Sequence, residues 1–77
     1  MKQTVPVSAR AMVARVRRAL QRDRRDLHAA HGVMAKADLG AFYVVDLQKN
    51  RVIDAKVDLE ALARQLDCIR PHERLQY

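Results

Sequence analysis

The sequence predicts a small α+β domain in the order helix, β-hairpin, helix. Apolar residues recur at helical spacing over residues 9–31, and the same spacing returns after residue 58. Between them, β-branched and aromatic residues flank the polar letters "QKN" at residues 48–50. With 77 residues, 49% of them hydrophobic, the chain can bury one core and is too apolar for a disordered tail. We therefore expect one domain over residues 1–77, with flexible ends at 1–7 and 71–77.

The first predicted helix follows an extended segment in which Pro6 disfavours helix at the residue before it. Ser8 is a favourable N-cap, and the helix is expected to run from about Ala9 to His31, where Gly32 would end it. Its apolar residues are three, four or seven positions apart and form one stripe. The stripe consists of Ala9, Met12, Val13, Val16, Leu20 and Leu27.

A short helical turn closed by Gly40 is expected before the hairpin, whose register depends on the length of its loop. A two-residue loop would pair Leu47 with Val52 and mix charged with apolar side chains on one face. A three-residue loop with Asn50 in the left-handed region pairs Val45 with Ile53 and separates the two kinds of side chain. We expect the second register. Its apolar face would consist of Tyr43, Val45, Leu47, Ile53, Ala55 and Val57.

The last predicted helix begins after Asp58 as N-cap, with Val57 and Leu62 placed as a hydrophobic staple, and ends before Pro71. Cys68 is expected to point away from its core face. The core face would consist of Leu59, Leu62, Leu66 and Ile69.

A homodimer is expected because a domain this small seldom retains more than about 3 to 5 kcal/mol of stability without a disulfide, a metal or a partner chain. The single cysteine, Cys68, cannot form an intrachain disulfide. The second face of the hairpin also carries the apolar residues Phe42, Val44 and Val52 beside charged ones, which a second copy could cover. Together with the lack of a signal-peptide run or an 18-residue apolar run, the lone cysteine predicts a cytoplasmic protein that does not enter membranes.

The positive charge of the chain is concentrated in its first part. Residues 1–32 contain eight basic and two acidic side chains, whereas residues 33–77 contain seven of each, so the whole net charge of +6 belongs to residues 1–32. We call the seven arginines of this part the arginine arc, because on one long helix they would lie opposite the apolar stripe. The arc consists of Arg10, Arg15, Arg17, Arg18, Arg22, Arg24 and Arg25.

The arginine arc predicts contact with a polyanion, since guanidinium groups match phosphate geometry. Only Gln21 could read base edges from this helix, so binding to nucleic acid would have low sequence specificity. We expect a small non-enzymatic binding or regulatory protein that uses the arc on nucleic-acid phosphates. Two alternatives stay open: the arc binds an acidic surface of a host protein and modulates it, or it is only a solvated helix face.

The sequence gives only weak signals for catalytic or metal-binding residues. The pairs His28/His31 and Cys68/His72 have spacings compatible with zinc, but no Cys-x-x-Cys knuckle accompanies them. No glycine-rich phosphate loop is present either. We therefore expect no catalytic residue, no metal site, no cofactor and no small-molecule substrate.

The stretch "LGAFYVVDLQKNRVIDAKVDLEALARQL", residues 39–66, resembles a pattern of short uncharacterised proteins from proteobacterial genomes and their mobile elements. That pattern has the form L-G-x-Y-Y-x-V-D-x-x-x-N-x-V followed by V-D-L-E-x-L-A-R-E-L. Here Phe42 replaces its first tyrosine and Gln65 its last glutamate. The resemblance implies a compact domain of bacterial origin and assigns no site residue. It also extends the first alternative above: a protein that modulates a host protein through the arginine arc would be the product of a mobile element.

Overall fold

The computed structural model describes residues 4–76, which form one α+β domain as the sequence predicts. The described residues contain three helices and five strands, however, instead of two helices and one hairpin. The elements are β1 (Val5–Ser8), α1 (Ala9–Gln21), β2 (Arg25–Ala29), α2 (Val33–Leu39), β3 (Phe42–Asp46), β4 (Arg51–Asp54), α3 (Leu59–Gln65) and β5 (Glu73–Gln76).

The strands form two sheets. β1 and β5 pair in parallel, from Val5 opposite Glu73 to Ser8 opposite Gln76. β2, β3 and β4 form an antiparallel sheet in that order. The two ends of the chain, which were expected to be flexible over residues 1–7 and 71–77, thus contain a strand pair in their described parts. No local pattern announces this pairing, because its two strands lie at opposite ends of the sequence.

The long helix predicted from Ala9 to His31 is wrong in its second half. Ser8 caps α1 as predicted, its side chain accepting the N–H of Ala11 at 3.1 Å, but α1 ends at Gln21. A continued helix would place Asp23 on the core-facing stripe, where its carboxylate would be buried without a partner. The chain turns instead, with Arg24 in the left-handed region (φ 57°), and continues as β2.

The core lies between α1, α3 and the inner faces of the sheets. Met12, Val16, Leu20 and Leu27 of the predicted stripe are buried in it, so the strand β2 directs Leu27 inward as the predicted helix would have done. Val13 is half-buried against this cluster. The buried cluster consists of Val7, Met12, Val16, Leu20, Leu27, Val44, Leu59, Ala63 and Ile69.

α3 begins as predicted but is shorter and rotated. Asp58 is its N-cap and accepts the N–H of Ala61 at 3.1 Å. The helix ends at Gln65, well before Pro71, and Ala63 rather than Leu62 is fully buried. Leu59 and Ile69 are buried as predicted, whereas Leu62 and Leu66 are half-buried at the edge of the core. Cys68, expected to point away, packs against the core.

The hairpin loop is one residue longer than predicted. Asn50 has the expected left-handed conformation (φ 52°), but the loop covers residues 47–50, and the Asp46 carboxylate accepts the N–H groups of Gln48 and Lys49 at 2.9 and 3.1 Å. Val45 therefore pairs with Val52 and not with Ile53. A β-bulge follows, so that Val44 pairs with Asp54.

The predicted inward face of the hairpin is only partly confirmed: Val45 is buried and Val57 packs against the core, but Val44, on the other face of β3, belongs to the core as well. Val44 is buried in the core, with Phe42 and Val57 packed beside it. Leu47 and Ile53, which were expected to face inward, are exposed. The sequence did not reveal this because Phe42-Tyr43-Val44-Val45 is apolar on both faces, and only the tertiary packing, which buries Val44 in one cluster with Leu20 and Leu27, selects one.

α2 confirms the predicted turn before the hairpin. Gly40 closes it with φ 75°, and its N–H donates to the Lys36 carbonyl. A Cβ at this position would lie 2.6 Å from the Cα of Lys56, so glycine is required. Gly32, expected to end the long helix, is instead the N-cap residue of α2.

Candidate anion-binding surface

The arginine arc does not lie on a single helix. Arg10, Arg15, Arg17 and Arg18 belong to α1, and Arg22 is its C-cap residue. The last two members, Arg24 and Arg25, lie in the turn and at the start of β2. The seven side chains are therefore divided among different parts of the molecule, and two of them are held by carboxylates.

Arg15 is held by Glu73 of β5. Its Nη1 donates to both carboxylate oxygens, at 3.0 and 3.1 Å, and also to the Cys68 carbonyl at 3.4 Å. Glu73 is only 9% exposed and accepts a further 2.8 Å hydrogen bond from the backbone N–H of Arg70. The Arg15 hydrogen bond, followed by that of Arg70, lowers the pKa of Glu73 to about 2. The pair fastens β5 and the preceding loop to α1.

Arg17 is held by Asp26 of β2. Its Nε and Nη2 donate to the two carboxylate oxygens at 2.9 and 3.1 Å, and the N–H of Leu27 donates to the same carboxylate at 2.9 Å. Asp26 is 8% exposed, and the Arg17 hydrogen bond is the main cause that lowers its pKa. Arg17 therefore fixes the turn between α1 and β2. Its Nε and Nη2 donors are occupied by Asp26.

Asp26 also approaches His28, whose Nε2 lies 3.4 Å from a carboxylate oxygen. The imidazole lies next to Tyr43 of β3, with ring centroids 5.5 Å apart. This group was not foreseen, because on a helix His28 and Asp26 would face different directions. On β2 they lie on one face, two residues apart.

The other five members of the arginine arc are exposed. Within residues 4–76, no carboxylate lies within 4.0 Å of their guanidinium groups. They retain their hydrogen-bond donors for solvent or a ligand. These five are Arg10, Arg18, Arg22, Arg24 and Arg25.

Two adjoining clefts separate α1 from the loop between α3 and β5. The first, about 200 Å³, is lined by Arg15, Arg18 and Arg22 on the side of α1. The second, about 550 Å³, is lined by Arg15 and by Arg70 with its loop neighbours. Asp67 and Cys68 line both. We call this pair of clefts the arginine groove; its arginines are Arg15, Arg18, Arg22 and Arg70.

Over residues 4–76, the lining of the arginine groove is positively charged although it contains two carboxylates. Glu73 is neutralised by Arg15, which leaves Asp67 against three arginines. Arg70 and the neighbouring His72 were not among the predicted site residues, because Arg70 was expected at the end of the last helix and His72 in a flexible tail. The only signal in the sequence was a pair of basic side chains around Pro71.

Cys68 forms part of the floor of the groove. Its thiol lies 3.7 Å from the Arg15 carbonyl and 3.8 Å from that of Leu66. Burial raises the pKa of the Cys68 thiol, which disfavours the thiolate at neutral pH. His72, considered with Cys68 as a zinc-spacing pair, lines the larger cleft with it.

The described part of the chain offers no cluster of three or more His, Cys, Asp or Glu side chains able to hold a metal ion. Over the same residues, none of the helices combines the length and the apolar character that a membrane crossing requires.

The ion pair between Glu73 and Arg15 predicts a pH dependence of stability. Because folding lowers the pKa of Glu73 from 4.5 to about 2, its stabilisation is complete above pH 4.5 and is lost as the pH falls towards 2. We expect the melting temperature of Glu73→Gln to lie below that of the wild type at neutral pH, and the two to converge between pH 4.5 and 2. Circular dichroism melts over this range measure the difference; parallel curves would contradict the role given to Glu73.

Comparison of the chain with protein-family models, with curated proteins and with solved structures found no match in any of the three.

Proposed function

We propose that this is a small non-enzymatic binding protein whose arginine groove contacts the phosphates of nucleic acid. The observation that carries the proposal is the placement of Arg18, Arg22 and Arg70 around one groove, without a carboxylate within 4.0 Å of them in residues 4–76. Exposed guanidinium groups that converge on a concave surface are suited to a phosphodiester backbone.

The lining of the groove favours phosphates over bases as the ligand. Among residues 4–76, the lining contains no phenylalanine, tyrosine or tryptophan on which a base could stack, and no asparagine or glutamine to read base edges. The positive charge favours any nucleic acid, with low sequence specificity. Duplex DNA or structured RNA, which present ordered phosphates, are the preferred ligands.

Two members of the arginine arc have a supporting role in this proposal. Arg15 holds Glu73 and so keeps the loop with Arg70 beside α1. Arg17 holds Asp26 and orients the turn that presents Arg24 and Arg25. Arg10, at the start of α1, adds positive charge outside the groove.

The salt dependence of binding tests the proposal. Contacts from Arg18, Arg22 and Arg70 should give a log-log slope of about −3 for each chain that contacts a short DNA duplex, at about 0.9 per neutralised phosphate. Fluorescence anisotropy over a series of salt concentrations measures this slope. If neither DNA nor RNA binds at low salt, the proposal is wrong. Capture of a host protein that persists after nuclease treatment would then favour the acidic protein surface as the partner.

We also propose that the protein forms a homodimer. The chain is short, its single cysteine cannot form an intrachain disulfide, and the large apolar side chains of Leu47, Val52 and Ile53 are exposed on the hairpin. A dimer would also double the number of arginines that one nucleic acid can contact.

A further inference from the structure

We infer that two copies of the chain pair antiparallel along β4, with Arg51 of each copy opposite Asp54 of the other. The inference rests on the proposed homodimer and specifies its interface. It would join the two three-stranded sheets into one sheet of six strands.

β4 is the outer strand of its sheet. It pairs with β3 on one side, and no strand of the described residues pairs with its other side. All four of its residues are exposed; Val52 and Ile53 are each 43% exposed, and Leu47 in the adjoining loop is 50% exposed. A strand with free backbone groups and exposed apolar side chains is a template for a further strand.

The β-bulge determines which side chains of β4 share a face. Asp46 pairs with Arg51 and Val44 pairs with Asp54, while Ile53 is the additional residue of the bulge. Because Val44 and Asp46 are two residues apart on β3, they lie on the same face, and so do their partners Asp54 and Arg51. Val52 lies on the opposite face, beside Val45.

This arrangement makes β4 complementary to itself in one orientation only. Along the outer edge, Arg51, Val52, Ile53 and Asp54 follow one another without a gap. A two-fold axis between Val52 and Ile53 brings Arg51 opposite Asp54 of the second copy, twice, and Val52 opposite Ile53 of the second copy, twice. A parallel pairing would instead bring like charges together, which is unfavourable. The charges that usually protect an edge strand thus select a second copy of the same strand.

The apolar surface beside β4 supports the same partner. Ile53 and Asp54 line a cleft of about 450 Å³ together with Leu62 and Leu66 of the α3 region. These two leucines are only half-buried in the single chain. A second copy along β4 would cover the border of this cleft and remove apolar surface from water.

Disulfide crosslinking tests the register. Val52→Cys in a Cys68→Ser background should form a disulfide-linked dimer under mild oxidation, because the two Val52 residues lie beside the two-fold axis on adjacent strands, within the Cα separation that a disulfide spans. Lys49→Cys in the same background is the matched control, since Lys49 is exposed in the adjoining loop but away from the two-fold axis. Efficient crosslinking at residue 52 and little at residue 49 supports the inference. Equal crosslinking at both overturns it.

Charge exchange tests the ion pairs without a new cysteine. Asp54→Arg should raise the dimer dissociation constant by about tenfold, since it replaces two attractive pairs with two repulsive ones. The double variant Arg51→Asp with Asp54→Arg should restore it. Light scattering or analytical ultracentrifugation in moderate salt measures the dimer dissociation constant of the wild type, the single variant and the double variant.

The outcomes separate the interface from the dimer itself. If the dimer dissociation constant does not change with Asp54→Arg and no crosslink forms at residue 52, the β4 interface is wrong, but the proposal of a homodimer still holds. A wild-type monomer at high micromolar concentration overturns both. Neither result alters the expected binding of one chain to nucleic acid.

Discussion

Replacing Arg18 and Arg22 together with glutamate is expected to lower the affinity for duplex DNA on the order of 100-fold while the protein stays folded. Both side chains are exposed and line the arginine groove, and neither is bonded to a carboxylate of the described residues. The change removes two phosphate contacts and adds two repulsive charges, so the salt slope should also become less steep by about 2. Anisotropy titrations measure the affinity, and circular dichroism verifies the fold.

The matched control is Lys36→Glu with Lys49→Glu. The double arginine variant and the double lysine variant each change the net charge from +6 to +2. The two lysines, however, lie on α2 and in the hairpin loop and do not line the groove. The control should lose much less affinity. Equal losses would mean that only the overall charge matters and that the groove is not the site. Arg17 is unsuitable for this test, because its removal would leave the buried Asp26 without its partner.

Leu59→Ala is expected to reduce the free energy of unfolding by about 2 to 5 kcal/mol. Leu59 is 1% exposed and is one of the largest fully buried side chains, so truncation leaves a cavity between α3 and α1. For a single small domain this loss approaches the whole stability. Urea denaturation followed by circular dichroism measures it.

Leu62→Ala is the comparison that tests the rotation of α3. Leu62 is half-buried, and its loss should cost less than that of Leu59 because water already reaches part of the side chain. Cys68→Ser, which affects a partly buried residue at the groove, should also cost less than Leu59→Ala. A larger effect at Leu62 than at Leu59 would show that α3 presents a different face to the core.

Features that depend on neighbouring residues were predictable from the sequence. The caps Ser8 and Asp58, the turn closed by Gly40 and the left-handed Asn50 were all confirmed. Each involves a side chain and a backbone group no more than four positions apart, or the backbone preference of one residue. The inward residues of α1 were predictable for the same reason, since helical spacing places them on one stripe.

The strands β1, β2 and β5 were not predictable in this way. Residues 25–29 contain a leucine at the correct position for a continued helix, and only pairing with β3 makes them a strand. β1 and β5 are each four residues long and stabilise one another across almost the whole chain. The choice of hairpin face likewise depended on the tertiary packing that buries Val44.

The sequence by itself determined the α+β class, the local caps and the concentration of positive charge in residues 1–32. Only the tertiary structure decided which arginines stay available to a ligand. Arg15 meets Glu73 from 58 positions away, and Arg17 meets Asp26 across a turn that the sequence did not predict. Charge composition is a property of the chain, but the pairing of charges requires two side chains to be within about 4 Å, and folding alone brings them there.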